Sequence, residues 1–150
     1  MKHEITTTID IAADPATVWA TLTDLESWSR WNPFITSSAG EVAVDARLVN
    51  RMEPEGGRAM TFRPTVTEVK PQRVFEWLGH LAVPGLFDGR HRFELVPLDD
   101  GSTRLVHGER FSGLLVRPMR RSLDGGTVAS FEAMNRALKT EAEARVGCSA

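Results

Sequence analysis

Residues 86–113, "LFDGRHRFELVPLDDGSTRLVHGERFSG", read as two strands joined by a turn, and the fold can be worked out from their pairing. His91, Phe93 and Leu95 alternate with Arg90, Arg92 and Glu94; Leu105, His107, Glu109 and Phe111 alternate with Arg104 and Arg110. A period of two marks strands with one covered face and one in water. "LDDGS" at 98–102 supplies the hairpin turn. Closing it with Pro97 opposite Thr103 puts Leu95 opposite Leu105, Phe93 opposite His107 and His91 opposite Glu109. The covered face then carries two imidazoles and a carboxylate among aromatic rings.

The same period runs upstream. "ARLVNRM" (46–52) sets Leu48, Asn50 and Met52 on one side, and "AMTFRPTVTEV" (59–69), taken as one run, sets Met60, Phe62 and Val66. "RVFEWLG" (73–79) adds Phe75 and Trp77, and "EITTTIDI" (4–11) forms a first strand. Repeated half-polar strands predict an antiparallel sheet with one face to be covered. Helical spacing supplies the cover. In residues 127–146 Val128, Phe131, Met134 or Asn135, Leu138, Ala142 and Val146 recur at steps of three and four, the pattern of a long amphipathic helix. Ahead of it "PMRRSLDGG" (118–126) predicts an extra turn, with a break or kink at Gly125-Gly126. Between the first two strands "ADPATVWATLTD" (13–24) predicts a helix capped by Asp14, with Pro15 in its first turn and Val18, Leu22 and Leu25 on one face. "LESWSRWN" (25–32) predicts a second, short one that puts Trp28 and Trp31 on one side, and Pro33 ends it.

At 150 residues, 41% hydrophobic and 25% charged, the chain is expected to be one domain, 1–150. A net charge of −2 offers no attraction to nucleic acid or an anionic membrane. No apolar run could form an integral membrane segment, and "MKHEITTTID" lacks the hydrophobic stretch of a signal peptide. With Cys148 the lone cysteine, no internal disulfide can form, and a reducing cytoplasmic location is expected. Nothing in the pattern fixes an oligomeric state. Several chemistries are missing. Ser112 in "FSGLL" makes no G-x-S-x-G elbow, and the Gly-Gly of "EPEGGRAM" (53–60) is a turn with no helix after it to cradle phosphate. There is no tyrosine to act as a phenol acid, and "RPMRR" (117–121) is expected to be a solvated helix start. Two histidines and one carboxylate could hold a metal, but no Cys or third His is placed to help, so no metal or cofactor is expected.

In order and spacing the chain resembles the START/SRPBCC superfamily, the helix-grip fold of the birch pollen allergen, and in wording its polyketide cyclase/dehydrase-like branch. The resemblance is carried by "IDIAADPATVWATLTDLESWSRWNPF", "FDGRHRFELVP", "GSTRLVHGERFSG" and "FEAMNRALKTEAE". It implies an α+β fold: a curved antiparallel sheet of about seven strands around a long C-terminal helix, with two short helices between strands 1 and 2. It also implies a hydrophobic cavity between sheet and helix, with the short helices at its mouth. Members include aromatase/cyclases, lipid-transfer domains, plant hormone receptors and chaperone activators, so the fold constrains function weakly.

On that resemblance the chain is expected to bind or carry a hydrophobic small molecule (a lipid, polyketide or isoprenoid-like ring). The expected lining is Phe34, Met52, Phe62, Phe75, Trp77, Phe93, Leu105, Phe111, Phe131, Met134 and Leu138. Trp28 and Trp31 either sit at the mouth or close the edge of the core. For His91, His107 and Glu109 three roles stay open: a self-satisfied polar pair, the polar end of a ligand pocket, or general acid–base catalysis. The corresponding alternatives in function are a polyketide cyclase/dehydratase-type enzyme and a chaperone-activator-like interaction module.

Overall fold

Alternation and helical spacing fold as expected in the computed structural model, which describes residues 2–148, the side chain of Cys148 excepted. β1 (Lys2–Ile11) is followed by α1 (Pro15–Thr23), a 3₁₀ turn (Leu25–Ser27) and α2 (Trp28–Trp31). Then come β2 (Ile35–Ala39), β3 (Val49–Met52), β4 (Met60–Phe62), β5 (Thr65–Lys70), β6 (Val74–His80), β7 (Asp88–Pro97) and β8 (Thr103–Ser112). The chain finishes with α3 (Val116–Ser122), a π turn (Leu123–Thr127) and α4 (Val128–Cys148).

Local chemistry sets the boundaries. The Asp14 carboxylate accepts from the Thr17 N–H at 2.8 Å and caps α1, with Pro15 opening the helix. Asn32, forced out of helical geometry before Pro33, has ψ 115° and ends α2. Its Oδ1 accepts from the N–H groups of Phe34 and Ile35 at 3.0 and 2.9 Å, turning the chain into β2. At Gly125-Gly126 the helix does not break; it widens into the π turn, so the expected kink is an extra residue in one turn.

The strands form a five-stranded antiparallel sheet in the order β1-β8-β7-β6-β5 and a three-stranded one in the order β2-β3-β4. Described strands number eight where about seven were expected, because residues 59–69 are two strands and not one. Pro64 has no N–H to give a ladder, so β4 and β5 part there and join different sheets. The two sheets stay linked: Leu48 N–H donates to the Pro64 carbonyl at 2.9 Å and Val66 N–H to that of Ala46 at 2.8 Å. The last hairpin has the expected register, with Pro97 opposite Thr103, Phe93 opposite His107 and His91 opposite Glu109.

α4 covers the concave face. Phe131, Met134, Asn135, Leu138 and Ala142 are buried against the sheet, while Val146 at the far end is exposed. On the convex face Glu76 accepts from Arg90 and Arg92 at 2.9 and 3.0 Å, and Arg92 also donates to Glu68 at 2.7 Å. Burial pushes the Glu76 carboxyl up, but hydrogen bonds from Arg90, Thr67 and Arg92 outweigh it and hold the group below its usual value. Among the described residues no helix is long and apolar enough to cross a membrane.

Candidate functional site

A largely apolar cavity of about 200 Å³ lies toward one end of the five-stranded sheet. Its floor is Trp77, Phe111 and Glu109; Met52, Met60 and Phe62 from β3 and β4 form one wall, and Met119 and Leu123 from α3 and the π turn form the other. Part of the space exists because two side chains are missing. Gly79 and Gly89 are paired across β6 and β7, and both border the cavity. A Cβ at Gly89 would overlap the Glu109 carboxylate, so this glycine makes the room in which Glu109 lies. The loop between β3 and β4 roofs the cavity and is clasped to the helical side. Glu55 N–H donates to Ser130 Oγ at 2.8 Å, and Ser130 Oγ–H donates to the Gly126 carbonyl at 2.8 Å. A Cβ at Gly126 would fall 2.9 Å from the Glu55 carbonyl oxygen, so that glycine permits the approach.

Of the expected lining residues, Phe34, Met52, Phe62, Trp77, Glu109 and Phe111 border the cavity. Phe75, His91, Phe93, Leu105, His107, Phe131, Met134 and Leu138 do not; they are buried in the packed core. Of the two places expected for the tryptophan pair, the mouth and the edge of the core, these rings occupy the second. Trp28 is fully buried, with its ring 6.2 Å from Trp77 and 6.3 Å from Phe93 and its Nε1–H donating to the Leu22 carbonyl at 3.0 Å. Trp31 lies half-buried over it in an edge contact at 6.2 Å and donates from Nε1 to Ser27 Oγ at 2.9 Å. These rings fill the space beneath α2, so the cavity opens instead at the β3–β4 and α3 side.

Behind the floor runs a buried polar chain. Glu109 Oε2 is 3.3 Å from His91 Nδ1, but the two form no hydrogen bond, and this buried nitrogen has no hydrogen-bond partner among the described residues. His91 Nε2 lies 2.7 Å from His107 Nε2, and His107 Nδ1 lies 2.7 Å from Asn135 Oδ1. Asn135 Nδ2 donates to Thr7 Oγ1 at 2.8 Å, and the Thr7 hydroxyl donates to the His107 carbonyl at 2.9 Å. Aromatic faces hold the imidazoles: His107 stacks on Phe131 at 4.3 Å and Phe93 at 4.5 Å, and His91 on Trp77 at 4.8 Å. Only Glu109 of the three ionisable candidates touches the cavity. Asn135 was expected only as an alternative to Met134 on the covered helix face, and Thr7, Gly79 and Gly89 were not singled out from the sequence. A glycine inside a strand pattern was the available signal for the last two.

Burial, together with the neighbouring His91 imidazole, holds His107 well below the ordinary imidazole value of 6.5, outweighing its hydrogen bond to Asn135. The unfolded chain takes up a proton near 6.5 and the folded one resists it. The stabilisation is therefore complete above 6.5 and is lost as pH falls toward the folded value. Urea midpoints are expected to drop between pH 7 and pH 5.5, with this one group contributing up to about 1.4 kcal/mol per pH unit. Equal midpoints would contradict a neutral buried His107.

Comparison with known proteins agrees with this architecture. The ZhuI aromatase/cyclase from Streptomyces sp. R1128 superposes with a TM-score of 0.80 at 19% identity, over 97% of this chain and 96% of that one. A START superfamily protein from Mycobacterium smegmatis matches over 99% of both chains, with a TM-score of 0.71 and 24% identity. The di-domain ARO/CYC StfQ from the steffimycin biosynthetic pathway has a TM-score of 0.80 at 16% identity, over 98% of this chain and 53% of its own. At these identities the likeness establishes the helix-grip fold alone. A comparison with curated proteins finds no match. The family whose description is polyketide cyclase/dehydrase and lipid transport matches residues 2–143, and the chain belongs to it.

Proposed function

We propose that the protein, acting as one domain in the cytoplasm, binds a hydrophobic small molecule in the cavity above Trp77 and Phe111. The observation that supports this is a largely apolar space of about 200 Å³ with the Glu109 carboxylate set in its floor. Pockets for drug-sized ligands run to roughly 300–1,000 Å³, so a space at or below the small end suits a compact one- or two-ring molecule better than a long acyl chain. An open cavity also argues against the chaperone-activator alternative, which needs none. Native mass spectrometry of the recombinant protein is expected to find a bound apolar species that denaturation releases. A protein that purifies empty and binds no apolar ring such as 1-naphthol would defeat the reading.

A second reading, proton transfer on a bound polyketide as in a cyclase or dehydratase, is favoured by one observation. Glu109 stands on the cavity floor with an imidazole pair behind it. Within that reading Glu109 would touch the substrate, and His91 and His107 would act through it. Binding without conversion is expected. Turnover of a candidate polyketide that falls by about 10²–10⁴ in Glu109→Gln, with binding kept, would install the second reading in place of the first.

A further inference from the structure

We propose that Thr7 and Asn135 are positioning residues: they fix the direction of the buried chain so that one proton is held between His91 Nδ1 and Glu109 at the cavity floor. The Thr7 hydroxyl has one hydrogen and donates it to the His107 carbonyl, so toward Asn135 it can only accept. That requires the Asn135 NH₂ to face Thr7, which turns the amide oxygen to His107 Nδ1. His107 Nδ1 therefore carries a hydrogen. Because burial keeps His107 neutral, its Nε2 is a bare acceptor, and the nitrogen 2.7 Å away, His91 Nε2, must donate.

With its Nε2 protonated, a neutral His91 would leave the lone pair of Nδ1 buried without a donor, 3.3 Å from the Glu109 Oε2. Two acceptors this close beside a buried imidazole repel, and one shared proton removes the conflict. It sits on Nδ1 opposite a carboxylate, or on the carboxyl opposite a bare nitrogen. Either way the pair is neutral overall. Among the described residues the other ionisable group of this hydrogen-bonded row is His107. Thr7 from β1, Trp77 from β6 and Phe131 and Asn135 from α4 bring none, and Glu55 and His80 border the same cavity.

The consequence for binding, which rests on the reading of the cavity given above, is that the floor can meet a ligand oxygen in either role. Glu109 accepts from a hydroxyl when the proton is on His91, and donates to a carbonyl when it carries the proton itself. A ring with one such oxygen is the ligand class this fits.

The test is imidazole ¹⁵N and carboxyl ¹³C NMR on the full chain at pH 7. In the wild type, His107 is expected to be protonated at Nδ1 and bare at Nε2, and His91 protonated at Nε2. One proton is expected in total on His91 Nδ1 and the Glu109 carboxyl. Asn135→Leu removes the acceptor at His107 Nδ1, so the chain should reverse: His107 becomes protonated at Nε2 and His91 at Nδ1 alone, opposite an ionised Glu109. Thr7→Val, which keeps the branched shape in the strand, should move the His107 signals in the same direction and serves if Asn135→Leu does not fold. A wild-type His107 protonated at Nε2, no proton on either His91 Nδ1 or Glu109, or His107 signals unchanged in every folded variant would overturn the proposal. The reading of the cavity is tested separately. If none of 1-naphthol, 1-tetralone and naphthalene binds, that reading fails and the positioning role stands; if the three bind equally while the tautomers are as stated, the floor's recognition of a ligand oxygen fails alone.

Discussion

A chain ending at Thr127 is expected to show no cooperative melt. It lacks α4, which places Phe131, Met134 and Leu138 under the sheet with no more than about 1% of any of them exposed. Each large apolar side chain contributes roughly 1.5–3 kcal/mol when buried, and the sheet residues they cover lose their partners too. His107 would also lose Asn135 and the stacked ring of Phe131, leaving buried polar atoms to find water. A domain of this size holds only about 5–15 kcal/mol in all, less than the combined loss. Calorimetry checks the expectation directly. A sharp endotherm together with retained near-ultraviolet dichroism in the shortened chain would mean that α4 is not the second layer of the fold.

Trp28→Ala carries the largest expected effect of any single substitution considered. The ring is fully buried and meets Trp77, Phe93 and Trp31, and its Nε1–H holds the Leu22 carbonyl at the end of α1. Truncating a packed tryptophan costs about 3–5 kcal/mol, which in a domain of this length lowers Tm by roughly 6–20 °C. Trp31→Ala should cost about 1–2 kcal/mol, because that ring is half-buried and its polar partner, Ser27, can turn to water. Neither substitution should change the affinity for an apolar probe, since neither ring borders the cavity. Equal losses for the two, or a binding defect confined to Trp31→Ala, would restore the mouth position.

The contrast between these two residues marks what the sequence could convey. Spacing places Trp28 and Trp31 on one side of a helix, and it does so correctly, but it says nothing of what stands opposite. Trp77 and Phe93 stand there, and together they leave no room for a ligand. The last hairpin was legible down to its register because turn length and parity leave one pairing that covers all the aromatic residues. The cavity was not, since it is bounded by features without period: the 53–59 loop, two strand glycines and the π turn. Asn135 shows a related limit. Steps of three and four admit both Met134 and Asn135, and both are buried, one packing in the core and the other anchoring the imidazole chain. Pro64 was visible within residues 59–69, and a proline in a central run is a reason to divide it.

The ring of Trp77 forms part of the cavity floor and lies 4.8 Å from the His91 imidazole in a stacked contact. The chain has four tryptophans and no tyrosine, so its ultraviolet emission comes from indole alone. An imidazolium quenches a stacked indole more strongly than a neutral imidazole does, and a ligand resting on the same ring displaces the water around it. Steady-state fluorescence of the unlabelled protein therefore reports both the state of His91 and the filling of the cavity. Trp77→Phe, which keeps an aromatic floor, supplies the dark reference against which the signals of Trp19, Trp28 and Trp31 are subtracted.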